Sequence, residues 1–122
     1  MGNDTLAQFW EKMPPEQYQL ARWLVKRGVV QDLCLLDPHW SGLVLEAALD
    51  NTGAKTRDLL YRVVLGMENL TAVLVDDQQK ATALRLVDMG WLQYSESQDC
   101  WVIPASLREF LEPRAILAIG PQ

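Results

Sequence analysis

The stretch "ALRLVDMGWLQYSESQDCWVIPASLREFL", from Ala83 to Leu111, constrains the fold most, because its hydrophobic period changes at Gly90. Before Gly90, apolar residues recur at helical spacing. After it come two short runs, "WLQY" and "CWVI", aromatic or β-branched, on either side of the polar, turn-prone "SESQD". That is a hairpin signal, without the Asn-Gly or Asp-Gly pair of the tightest turns. Pro104 closes the second run. Ser106 and Glu109 then read as an S-x-x-E capping box for a short helix, "LREFL", which Pro113 is expected to end. Trp91 and Trp101 are expected to stack across the hairpin.

Upstream, the chain reads as helices. Pro14 and Pro15 suit a helix start, and "EQYQLARWLVKRG" puts Leu20, Ala21, Leu24 and Val25 on one stripe. Lys26 and Arg27 sit in its last turn, where cations favour the negative end of the helix, and Gly28 follows as a stop. The run from Val29 to Leu36 is either a buried strand or a tight helical turn. Asp37-Pro38 then opens a helix with Trp40, Leu43, Val44 and Ala47 inward, ending at Asn51–Gly53. Thr56 is expected to cap the next helix, with Leu59, Leu60, Val63, Val64 and Met67 at core spacing. "NLTAVLV", from Asn69 to Val75, is either a strand or a turn leading into a helix. Asp76 or Asp77 caps a further helix, with Ala81, Leu84 and Val87 expected inward and Gly90 as its stop. "LVKRGVVQ" (Leu24 to Gln31) and "LVDMGWLQ" (Leu86 to Gln93) share Leu, Val, Gly and Gln in register; helix-capping chemistry alone is enough to produce that match.

From about residue 56 to 111, the order helix, helix, Gly-terminated helix, hairpin, helix resembles the winged-helix superfamily. The residues that carry the resemblance are "LRLVDMGWLQYSESQDCWVI", in which Gly90-Trp91-Leu92 looks like the step from recognition helix into the first wing strand. The expected fold is α+β and mostly helical. Its C-terminal half (residues 54–122) is winged-helix-like with a two-stranded hairpin and packs on an N-terminal helical block (residues 1–53), the whole forming one compact domain.

The resemblance implies that the helix from Asp77 to Met89 holds the recognition position, with Gln78, Gln79, Lys80 and Arg85 as the residues that would read base edges in a major groove. Lys55, Arg57 and Arg62 would then meet the phosphate backbone. The charges oppose that use. The net charge is −5, with four basic and seven acidic residues in 1–53 and seven and nine in 54–122. Nucleic-acid affinity draws on Lys and Arg neutralising phosphates. Yet Asp76 and Asp77 stand at the start of the reading helix, and the wing "SESQD" carries Glu96 and Asp99 with no cation. A protein partner is the better expectation, and nucleic acid the lesser one.

Catalytic and metal-binding constellations are not assembled by the sequence. The single histidine, His39, follows Pro38 in the first turn of a helix. Cys34 lies in an apolar run, and Cys100 falls in a predicted strand, half-buried at most. No glycine-rich phosphate loop occurs. The expectation is a non-enzymatic protein without a cofactor. The start "MGNDTLAQFWEKMPPEQ" lacks the apolar stretch of a signal peptide, and no run is long enough to span a bilayer. That gives a cytoplasmic protein with no membrane partner as the expectation. Five tryptophans are many for 122 residues. Trp23 lies off the Leu20–Leu24 stripe and is expected at an interface, since Trp is enriched in binding hot spots. The tail "RAILAIG" has no polar face. Ile116, Leu117 and Ile119 are therefore expected against the core or against a second chain, which would make a homodimer.

Overall fold

A computed structural model describes residues 13–29 and 40–120. Phe9, Trp10, residues 30–36 including Cys34, the Asp37-Pro38 cap and His39 lie outside the described residues, as do the side chains of Trp40 and Leu43. A single 3-10 turn, Pro15–Gln17, leads into α1 (Tyr18–Lys26), which is followed by α2 (Trp40–Asp50), α3 (Ala54–Val64), α4 (Leu70–Val75) and α5 (Lys80–Met89). Strands β1 (Gln93–Ser95) and β2 (Cys100–Val102) form an antiparallel hairpin, and α6 (Ala105–Ile119) closes the described chain. The fold is α+β and mostly helical, as the hydrophobic periods require.

One cluster of buried apolar side chains draws on both halves of the chain. Leu20 and Leu24 of α1, Val44 and Ala48 of α2, Leu60 of α3, Leu86 of α5, Trp91, and Leu107 and Leu111 of α6 are all fully buried. A buried polar link crosses the same seam. The Trp91 Nε1–H donates to Thr52 Oγ1 at 3.1 Å, and the Thr52 hydroxyl donates to the Ala48 carbonyl at 2.7 Å. Burying an indole leaves its N–H in need of an acceptor, and Thr52 supplies one from 39 residues away.

Several helix ends follow from named residues. Gly28 (φ +74°) completes a Schellman motif on α1: its N–H bonds the Val25 carbonyl, and that of Val29 bonds Leu24. Gly90 (φ +109°) does more than reverse the chain. A Cβ there would stand 2.8 Å from Gln19 Cβ and 3.1 Å from the Leu20 backbone nitrogen, so its lack of a side chain lets α1 lie against the end of α5. Gln19 seals that contact by donating to the Val87 and Asp88 carbonyls, both at 3.0 Å. Gln93 adds a second seal, donating to the carbonyls of Glu16 and Gly90. "NLTAVLV" is resolved in favour of a helix, because Asn69 Oδ1 accepts from the Ala72 N–H and caps α4.

Other local expectations need correction. Thr56 does not cap α3. The helix starts at Ala54 with Gly53 in the cap position, and Thr56 is buried. Helix α3 stops at Val64, so Met67 falls past its end and is 45% exposed. The inward row of α5 is Ala83, Leu86 and Met89; of the expected residues, Val87 is half-buried against the core, while Leu84 is 49% exposed and Ala81 is exposed. Both rows are apolar at helical spacing, and the contact of Gly90 with α1 selects between them. Ser106 forms no capping box, because Pro104 holds the cap position and α6 starts at Ala105, two residues early. The Ser106 hydroxyl is left buried without a hydrogen-bond partner among the described residues. Pro113 does not end α6, which runs on to Ile119. A proline inside a helix costs about 3 kcal/mol. Burial of Leu111 and Ala115 on either side of it offsets that cost. Trp91 stacks on Phe110 (6.4 Å, 10°) rather than on Trp101, whose partner is Tyr94, directly opposite in the hairpin at 5.6 Å and edge-on.

Candidate interaction surfaces

The first surface is the exposed face of α5 and the hairpin. Asp76 serves the backbone: its Oδ1 accepts from the Gln78 N–H at 2.9 Å, and its carbonyl accepts from Gln79 and Lys80. It caps the turn that precedes α5, and the helix itself begins at Lys80, not Asp77. Gln78 and Gln79 therefore stand in that turn and not on the face of the helix. They share a notch of about 100 Å³ with Lys55 and Arg62 of α3. Arg62 is already engaged by Asp58 at 3.0 Å and, more loosely, by Glu68 at 3.9 Å. Lys80 and Arg85 are exposed, and neither lines the notch.

From residue 76 to 99 the exposed charges are two cations, Lys80 and Arg85, against Asp76, Asp77, Asp88, Glu96 and Asp99. The hairpin tip is held in shape. The Tyr94 hydroxyl bonds Asp99, Ser95 Oγ accepts from the Gln98 N–H, and Asp99 takes a left-handed backbone (φ +53°). The bond to Asp99 is the main reason that the Tyr94 phenol ionises above its ordinary value. An acidic residue is thus built into the tip itself.

The second surface is a groove of about 530 Å³ between α1 and the end of α5, bordered by Gln19, Arg22, Trp23, Lys26, Arg27 and Asp88. Trp23 belongs to its floor. It is 8% exposed, which corrects the expectation of an interface tryptophan. At 100° per residue, Trp23 and Ala21 flank Leu20 and Leu24 within an arc of about 160°, so the buried stripe of α1 is wider than its Leu residues alone suggest. The Arg27 guanidinium covers the ring at 5.0 Å and reaches Asp88 at 4.0 Å. The cations here also complement the negative end of α1.

The third surface is the end of α6. Leu107, Leu111 and Ala115 are fully buried on one side of this helix. On the other side Leu117 is 86% exposed and Ile116 41%, and Ile119 is partly buried against the core. Arg114 fastens the helix to α2, with its guanidinium 3.8 Å above the Phe110 ring and a 2.8 Å bond to Glu46. Of the four apolar residues expected at an interface, then, Ile116 and Leu117 are exposed, Ile119 is intermediate and Trp23 is core. The sequence reading also missed Val75, 75% exposed at the end of α4.

Among the described residues, no group of three or more His, Cys, Asp or Glu side chains is arranged to hold a metal ion, and no helix is long and apolar enough to cross a membrane. Cys100 is a free thiol, half-buried in β2. Comparison of the chain with protein-family models, with curated proteins and with solved structures gives no match.

Proposed function

We propose that this chain is a small non-enzymatic interaction module, an adaptor or regulator on a winged-helix-like scaffold, that works in the cytoplasm without a cofactor and binds another protein through the end of α6. The succession α3, α4, α5, hairpin, α6 supports the winged-helix resemblance. The observation that carries the functional reading is Leu117, 86% exposed beside Ile116 on a helix whose opposite side is core. Fully burying one such side chain contributes roughly 1.5–3 kcal/mol, so a complementary surface gains from covering the pair.

The test compares the wild-type full chain with the double variant Ile116→Asp/Leu117→Asp. Wild type retains specific proteins from a lysate, and the double variant loses them. Light scattering tells whether the partner is a second copy. Equal capture by both forms, from a monomeric wild type, overturns the reading.

One observation favours a second reading, DNA binding: the notch that joins Gln78 and Gln79 to Lys55 and Arg62. A gel shift on random duplex at low salt separates the two. Salt-sensitive retardation that is lost in Lys55→Gln/Arg62→Gln supports DNA binding, because each phosphate contact contributes to the salt slope. No retardation removes it. The exposed charges over residues 76–99 argue for the latter outcome.

A further inference from the structure

Among the described residues the sheet has two strands, and none of those residues pairs with the outer edge of β2. In an antiparallel pair alternate residues exchange both backbone bonds. Either Trp101 or its neighbours Cys100 and Val102 therefore turn an N–H and a C=O outward. Among the described residues, no loop or helix backbone bonds to residues 100–102 from that side. Helix α4 packs near β2, and none of its backbone groups bonds to residues 100–102 among the described residues; the Ala72 and Val73 N–H groups are taken by Asn69.

Beside this edge runs a groove of about 350 Å³, walled by Val63 and Leu70 on one side and by Trp101 and Val102 on the other, with Glu68 and Arg108 as its charged residues. Glu68 is turned to Arg62 at 3.9 Å. Arg108 gives one guanidinium N–H to the Val64 carbonyl at 3.0 Å and makes no ion pair among the described residues. A guanidinium has five donors, so most of its capacity is unspent. At Gly66 the groove has open space, with no atom within 4 Å of where a Cβ would stand.

We propose that this edge and groove dock an extended segment of a partner protein, which adds to β2 as a third strand, seats an apolar side chain between Leu70 and Trp101, and presents a carboxylate to Arg108. An unpaired strand edge asks for backbone donors and acceptors, which an extended segment has and a helix does not. Strand addition is a recurrent mode of peptide capture: the main chain supplies affinity, and alternate side-chain pockets supply specificity. Arg108, the one cation that lines the groove among the described residues, selects an acidic residue in the segment. The site is separate from the end of α6 and stands or falls independently of it.

The experiment selects binders from a displayed random-peptide library on the full-length chain, then synthesises the enriched sequence in plain and alternately N-methylated forms. The expected consensus alternates apolar and polar residues and contains Asp or Glu. The plain peptide perturbs the amide resonances of residues 66–70 and 100–103. N-methylation at the pairing positions weakens binding at least about tenfold, as does Arg108→Gln, since a bond to a charged group is worth about that factor. Ile116→Asp/Leu117→Asp leaves binding unchanged. The proposal is overturned by no enrichment, by a consensus at helical spacing, or by binding that ignores N-methylation, a comparison that leaves the protein itself untouched. It is also overturned by a dimer in light scattering with protected Trp101 and Val102 amides, because a second copy then occupies the edge.

Discussion

Thr52→Val is the most informative single change, because Thr52 holds together the seam between the two blocks with one hydroxyl. Thr52 and Trp91 are both fully buried. The variant keeps the shape of the side chain and removes two interactions at once. The Trp91 N–H loses its acceptor, and a buried unsatisfied donor costs about 1–3 kcal/mol. The bond from the hydroxyl to the Ala48 carbonyl is also lost, at about 1 kcal/mol. The expected total is roughly 2–4 kcal/mol, a large part of the stability of a domain this size. In a Trp91→Phe background no indole N–H is left to orphan, so Thr52→Val should then cost only about 1 kcal/mol. The double-mutant cycle isolates a coupling of about 1–3 kcal/mol. Urea denaturation followed by far-ultraviolet circular dichroism reads it as a difference of about 1 M in midpoint shift, at the slopes usual for small proteins. Equal costs in both backgrounds would refute the reasoning, since the indole would then draw its hydrogen bond from elsewhere.

Other perturbations test other parts of the fold. Gly90→Ala should cost roughly 2–4 kcal/mol, from a left-handed backbone and a Cβ driven into Gln19 and Leu20. Gly28→Ala, which meets nothing within 4 Å, should cost only the backbone share, about 1–2 kcal/mol; equal losses at the two sites would show that the approach of α1 is not tight. Pro113→Ala should stabilise by about 1–3 kcal/mol, because the proline ring is exposed and its only large effect is on the helix, so a loss in thermal denaturation would count against that account. Burial raises the Tyr61 phenol above 10.0, the effect of its neighbour Asp50 adding to this and those of Arg57 and Arg114 opposing it. The Tyr61 contribution is therefore fully present below the unfolded value near pH 10 and is lost as pH rises through the folded one. An ultraviolet phenolate titration should show late ionisation of Tyr61 and Tyr94, and Tyr94→Phe should remove one late component.

What was legible in the sequence was the material that local chemistry decides. The change of period at Gly90, the hairpin and the glycine stops at Gly28 and Gly90 follow from backbone preferences that need no distant partner. The errors fall where two local solutions were equally good and a remote contact chose between them. Helix α5 carries two apolar rows, and α1 pressing on Gly90 selected the row of Ala83, Leu86 and Met89. Trp23 sat at the margin of a stripe whose width depends on what α1 packs against. Pro113 ends a helix in isolation and not here, because burial of Leu111 and Ala115 outweighs its cost. Of the candidate sites, charge was readable, since Glu96 and Asp99 stay exposed however the hairpin folds. The grooves were not, because each joins residues from separate elements: Gln78 with Arg62, or Val63 with Trp101.

The two proposed surfaces differ in what they demand of a partner, and that difference bears on function. The end of α6 offers Ile116 and Leu117 with no backbone groups to satisfy, so it accepts any apolar patch of suitable shape and gives little specificity by itself. The β2 edge is the reverse: three residues of strand supply few hydrogen bonds and little area, but they fix register and direction, and Arg108 discriminates by charge. A module that used only the first would bind loosely and broadly, and one that used only the second would bind selectively and weakly. A single partner that engages both, with an extended acidic segment on β2 and an apolar patch on α6, would bind more tightly than to either surface alone, provided its linker spans them. If that is how the chain works, Arg108→Gln and Leu117→Asp should each weaken capture of the same protein, and the combined variant should abolish it. Two disjoint sets of captured proteins would show instead that the surfaces serve separate partners.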